Sequence, residues 1–159
     1  MISMARPFLA DPDFVAKAAA CRSADINTCI ACNQACLDHI FEGRACTCLV
    51  NPFACRETEF VVKPATAKKR VAVVGAGPAG MAAAATAAER GHSVTLFESS
   101  DRIGGQFNYA KRITGKEEFD NTLRYFGRRL EQAGVEVRLA RRATTTDFSG
   151  FDAVLLATG

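Results

Sequence analysis

The sequence has no stretch that approaches the roughly 20 consecutive apolar residues of a membrane span. Its longest candidate, Met81 to Ala88, is short and alanine-rich and reads as a buried helix. A secretory pattern is missing too, because Arg6, Asp11 and Asp13 interrupt any apolar core near the N-terminus. Charge of one sign is scarce. The net charge is only +3, and Lys68-Lys69-Arg70, Arg128-Arg129 and Arg141-Arg142 have no aromatic residues interleaved, which argues against nucleic acid as a partner. There is no internal repeat and no low-complexity tract. The expected protein is globular, cytoplasmic, and partnered by neither membrane nor nucleic acid; with 48% hydrophobic residues it can build a modest core. In a reducing compartment its seven cysteines read as metal ligands before disulfides.

Three regions follow one another. Residues 1–20 begin with strand-like sequence and end in a short helix from about Asp13 to Ala20. Residues 21–62 hold all the cysteines and little periodicity, as expected where a metal centre organises the chain. After the polar linker from Lys63 to Lys69, residues 70–159 alternate strand and helix. Val71–Val74 and Ser93–Phe97 read as strands, Pro78–Arg90 as a helix stopped by Gly91, and Lys116–Ala133 as a helix stopped by Gly134. Val135, Val137 and Leu139 alternate as a third strand, and Asp152–Ala157 is a fourth. The expected fold class is α/β with a parallel sheet. Its last strand would be left at an exposed edge, and with the abrupt start this suggests a piece of a longer protein.

Cys29, Cys32, Cys36 and Cys48 follow C-x2-C-x3-C-x11-C. Three thiolates within eight residues can wrap one corner of a compact object, and a fourth from a nearby loop closes it, as a cubane [4Fe–4S] cluster requires. Structural zinc usually takes two C-x2-C knuckles, and the second is absent here, so zinc is the weaker alternative. Cys46 rivals Cys48 as the fourth ligand. Cys21 and Cys55 are expected to be small buried hydrophobes, as is Cys46 if it is not a ligand.

Gly75-Ala76-Gly77-Pro78-Ala79-Gly80 is G-x-G-x-x-G placed after a strand and opening a helix. Gly75 permits the tight turn, Gly77 lets the backbone approach a pyrophosphate, and Gly80 allows close helix–strand packing. Amides around Pro78 and Ala79, with the helix dipole, would meet the negative charge. Glu98, 18 residues on at the end of the second strand, can accept both hydroxyls of an adenosine ribose and would repel a 2′-phosphate. Ile103-Gly104-Gly105-Gln106 lets the chain fold over ribose and pyrophosphate, which with the closing Ala157-Thr158-Gly159 favours FAD over NAD. The bland reading is an ordinary glycine-rich turn beside an exposed glutamate.

The run Cys29-Ile30-Ala31-Cys32-Asn33-Gln34-Ala35-Cys36-Leu37-Asp38, then Cys48-Leu49-Val50-Asn51-Pro52, then the glycine fingerprint, resembles the bacterial NADPH-dependent 2,4-dienoyl-CoA reductases. More broadly it is similar to the trimethylamine dehydrogenase group of old-yellow-enzyme-related flavoproteins. The resemblance implies that residues 1–20 are the tail of a truncated TIM barrel, 21–62 a [4Fe–4S] linker, and 70–159 the first half of a Rossmann-like FAD-binding domain. It implies a relay from NADPH through FAD and the cluster to FMN, which reduces an acyl-CoA substrate held by the complete protein. It also makes Cys29, Cys32, Cys36 and Cys48 the ligands and Cys46 a bystander. Ala79, Glu98, Gln106, Lys116 and Ala143 would line the FAD site, with Lys116 near the adenosine end. Ala5 and Arg6 match the end of the barrel, where Arg6 would hold the FMN phosphate; without the barrel, Arg6 is expected simply to be solvated.

Overall fold

At Arg70 the hydrophobic pattern changes from little periodicity to alternating strand and helix. The computed structural model describes residues 2–159. It divides into a unit of Met1–Val61 with Thr114–Tyr125, and a unit of Val62–Ile113 with Phe126–Gly159.

The first unit carries α1 (Arg6–Ala10), α2 (Phe14–Ala19) and α3 (Leu37–Phe41), each under two turns long. The helix expected from about Asp13 is α2. The N-terminal segment is not a strand: residues 2–4 are irregular and then enter α1, where Pro7 in the first turn presets a helical φ. Buried polar groups tie these pieces together. The Asp11 carboxylate, 3% exposed, accepts hydrogen bonds from the Asn27 amide (2.8 Å), the Lys17 ammonium (2.7 Å) and the Asp13 amide (3.1 Å). Asn27 Nδ2 in turn donates to the carbonyls of Ala10 and Val50. The guanidinium of Arg124 donates to the carbonyls of Ser23 and Ile26 and to the Thr28 hydroxyl. Small apolar side chains of Ala10, Ile26, Ile30, Ala35 and Ala54 fill the space between.

The second unit is built by β1 (Arg70–Val74), α4 (Pro78–Glu89), β2 (Ser93–Phe97), α5 (Phe107–Ala110), the second half of α6 (Phe119–Gln132), β3 (Glu136–Arg138) and β4 (Ala153–Leu156). All strand pairs are parallel and the order is β3-β2-β1-β4, with Val73 in register with both Leu96 and Leu155. The core lies between sheet and helix: Ala72, Val73, Leu96 and Phe97 are fully buried, as are Met81, Ala84 and Ala85 of α4. The alanines of this helix, read from the sequence as a buried one, let it lie close on the strands. Phe97 meets the rings of Phe148 and Phe151 edge-on, and burying such a side chain contributes about 1.5–3 kcal/mol. Arg129 clamps Glu89 with two hydrogen bonds of 2.6 and 2.7 Å, fixing α6 to α4.

Boundaries differ from expectation at several places, those of α6 and the third strand among them. α6 begins at Phe119, after a turn that includes Lys116. The third strand is only three residues long, because Ala140 turns with φ +49° and donates to the Ser100 carbonyl. β4 sits at the sheet edge with Val154, Leu155 and Leu156 exposed. Among the described residues no helix is long and apolar enough to cross a membrane.

Candidate functional site

β1 lies between β2 and β4, so the direction of winding reverses beside it. In an open α/β sheet the loops leaving the strand ends diverge there and open a crevice. That crevice is a cleft of about 730 Å³, a size suited to a cofactor. Gly75, Gly77, Pro78 and Ala79 line it from the turn after β1, Glu98 from the end of β2, Gly105 and Gln106 from the following loop, and Ala157–Gly159 from the end of β4.

The glycines have separate tasks. Gly75 has φ +101°, and a Cβ there would strike the Ala157 carbonyl. Gly80 is buried, and a Cβ on it would strike the Gly75 carbonyl, so it fixes how closely α4 crosses the turn. Gly77 caps α4, and nothing lies within 4 Å of where its Cβ would be. It therefore keeps a place open on the wall of the cleft where a ligand can reach backbone.

Glu98 is 8% exposed and its two oxygens are oriented from opposite sides. Oε2 accepts from the amide of Ala76 at 2.8 Å; Oε1 accepts from the amide of Ser100 at 2.8 Å and the Ser99 hydroxyl at 3.2 Å. Burial pushes this carboxyl up, but the Ser100 and Ala76 amides and the neighbouring serine hydroxyls outweigh it and hold it below the usual carboxylate range. The group is thus ionised at neutral pH, and Oε2 keeps a lone pair for an external hydroxyl. Ala143 lines a second cavity of about 330 Å³, together with Arg141 and Arg142; Gly75, Glu98 and Thr158 border both. Lys116 is not on either wall. It belongs to the other unit, where its ammonium stands 5.8 Å from the centre of the Phe119 ring. Tyr109 and Arg112 do line the cleft, which no sequence motif indicated.

In the first unit, Cys29, Cys32, Cys36 and Cys48 line one small pocket whose other walls are mainly apolar, with Leu9, Ile30, Ala35 and Leu49. Ala31 and Asn33 adopt left-handed backbone (φ +51° and +60°), which bends the chain sharply between successive cysteines. The amide of Thr47 donates to the Ala35 carbonyl at 2.8 Å and lays the Cys48 loop against Cys36. Burial pushes the Cys48 thiol up; backbone amides at Val50 and Asn51 act against this, and the Cys29 and Cys32 thiols add to it. Among the described residues no group of three or more cysteine, histidine or carboxylate side chains is arranged to hold a metal ion. The expectation that Cys21, Cys46 and Cys55 are buried is not met: Cys21 and Cys55 are exposed, and Cys46 is half-buried outside the pocket. The reason is that this unit has too little apolar core to enclose them.

Ala5 caps α1, its carbonyl accepting from the amides of Phe8 and Leu9. Arg6 is exposed, as expected, and it also has a partner. It lines the four-thiol pocket and donates to Asn33 Oδ1 at 2.6 Å. No spacing rule could have paired residues 27 positions apart.

Residues 73–141 match the family described as an NAD(P)-binding Rossmann-like domain. The second unit has a Rossmann-like fold. Over 99% of its length the chain is 40% identical to an NADH oxidase of Thermoanaerobacter brockii. A solved 2-naphthoyl-CoA reductase complex superimposes with a TM-score of 0.95 at 38% identity over 98% of the chain. Histamine dehydrogenase from Rhizobium sp. 4-9 does so with a TM-score of 0.90 at 32% identity over the whole chain. The chain spans about a quarter of the length of each: 25%, 24% and 24% respectively. These relatives are oxidoreductases by name, and the structural neighbours span both reductases and amine dehydrogenases.

Proposed function

We propose that this chain is the cluster-and-flavin segment of an iron–sulfur flavoprotein oxidoreductase. Its thiol pocket holds a [4Fe–4S] cluster and its cleft holds FAD. The observation that carries the reading is the meeting, at one switch-point cleft, of an ionised Glu98 with a glycine turn left open at Gly77. Oε2 of Glu98 accepts from the adenosine ribose, and the amides after Gly77 face the pyrophosphate. The pocket supplies four thiols and apolar walls, the donor set of a cubane. The spacing C-x2-C-x3-C-x11-C, which lacks a second C-x2-C knuckle, favours a cubane over one zinc ion. When bound, FAD would accept one hydride, that is two electrons and a proton, and the cluster would pass the electrons on singly. The chain's own residues hold and orient the two groups. In the complete protein the relay would run from NADPH through FAD and the cluster to FMN.

The substrate class we favour is a conjugated enoyl thioester. It is supported by the likeness to 2-naphthoyl-CoA reductase, and by the Cys32-Asn33-Gln34-Ala35-Cys36 run. The likeness to histamine dehydrogenase supports an amine as the second reading. Anaerobic purification tests the cofactors. About four iron and four sulfide per chain, with visible absorption bleached by dithionite and FAD released on denaturation, is the expected result. One zinc without sulfide would replace the cluster with a structural site. Assay of the protein encoded by the complete gene, with a dienoyl-CoA against an amine, decides the substrate.

A further inference from the structure

The four-thiol pocket has a single charged residue in its wall, Arg6. Its Nη1 donates a 2.6 Å hydrogen bond to Asn33 Oδ1, and among the described residues Arg6 makes no ion pair that would cancel its charge. Asn33 is no ordinary surface anchor. It lies between Cys32 and Cys36 in left-handed backbone, and its carbonyl faces the Cys36 thiol at 3.7 Å while accepting the Asp38 amide at 3.1 Å. The guanidinium is therefore fastened to the loop that presents two of the four sulfurs. Pro7, next in sequence, stiffens the backbone that carries it.

We infer that Arg6 is a positioning residue for the cluster pocket: through Asn33 it holds a permanent positive charge beside the thiolates and raises the reduction potential of the cluster. The inference rests on the cluster reading above. Reduction adds one negative charge to the cluster, and a fixed cation favours the form with more negative charge. An arginine stays protonated across the working pH range, so the effect does not titrate away.

The test is a redox titration of the cluster, followed by electron paramagnetic resonance, in the whole chain after anaerobic assembly with ferrous iron and sulfide. Arg6→Met should shift the midpoint to more negative potential with iron and sulfide content unchanged. Arg6→Lys, which keeps the charge, should stay near the parent value. Asn33→Ala, which frees the guanidinium, should move toward the Arg6→Met value. An Arg6→Met protein with full cluster content and an unshifted midpoint overturns the inference and leaves the cluster reading intact. So does an Arg6→Lys midpoint equal to that of Arg6→Met. Should Arg6→Met fail to assemble, Asn33→Ala decides, and an unshifted midpoint there overturns the inference. A parent chain that takes up no iron and sulfide overturns both readings.

Discussion

The carboxylate of Glu98 accepts a 2.8 Å hydrogen bond from the amide of Ala76, which ties the end of β2 to the glycine turn after β1. The acid and the turn, 22 residues apart, are parts of one device. Glu98→Ala would leave the amides of Ala76 and Ser100 without their acceptor. We expect it to destabilise the second unit by about 1–3 kcal/mol and, on the proposed reading, to weaken FAD or ADP binding. Denaturant unfolding and calorimetric titration measure the two effects separately. Unchanged ADP affinity would remove Glu98 from the ribose site.

The same carboxylate gives a pH prediction. Its folded pKa lies below the ordinary value of about 4.3, so its contribution to stability is complete above that value and is lost as pH falls through the lowered one. Thermal melts from neutral pH into the acid range should show a steeper acid decline for the parent than for Glu98→Gln. Parallel curves would contradict it.

Gly75 and Gly77 should respond oppositely to the same substitution. Gly75→Ala forces a side chain into left-handed backbone and against the Ala157 carbonyl, so it should destabilise by about 1–2 kcal/mol or more. Gly77→Ala meets open space, so its melting temperature should hardly change while cofactor binding falls. Flavin content of the purified variants, set beside their melts, checks the contrast.

Cys48 borders the thiol pocket and Cys46 does not. Cys48→Ser should abolish cluster assembly, whereas Cys46→Ser should keep full iron and sulfide content. The reverse result would mean that Cys46 is the fourth ligand.

Asp11 holds the Asn27 amide and the Lys17 ammonium within the unit that carries those cysteines. Asp11→Ala removes the acceptor of a buried charged pair and should cost about 3 kcal/mol or more. Hydrogen exchange at the Asn27 amide should rise accordingly.

Much of this was legible from the residues alone. The glycine turn, the helix end at Gly91 and the strand Ser93–Phe97 depend on local chemistry, and local chemistry is written in local sequence. Three of the four cysteines that share the pocket were identifiable by spacing, and the fourth, Cys48, was separated from Cys46 by the resemblance. What escaped was long-range and polar: the Asp11–Asn27 network, Arg124 reaching Ser23 from 101 positions away, and Arg6 on Asn33. α1 was misread because the pattern of Ile2 to Leu9 suits a strand as well as a helix, and Pro7 tipped the balance. The exposed Cys21 and Cys55 were misjudged because burial depends on how much core a unit has, which residue type alone does not report.

The cleft is closed by Ala157–Gly159 at the end of β4, whose entry is pinned by the Arg70 amide on the Asp152 carboxylate, 82 positions apart. The thiol pocket, by contrast, draws all its sulfurs from residues 29–48. Contacts between distant parts of a chain form late, because loop-closure entropy must be overcome first. On a ribosome, then, the four thiols emerge and can gather while the cleft is still unmade. On the reading proposed above, iron and sulfide could be delivered to a nascent chain, whereas the flavin would have no complete seat until translation has passed β4.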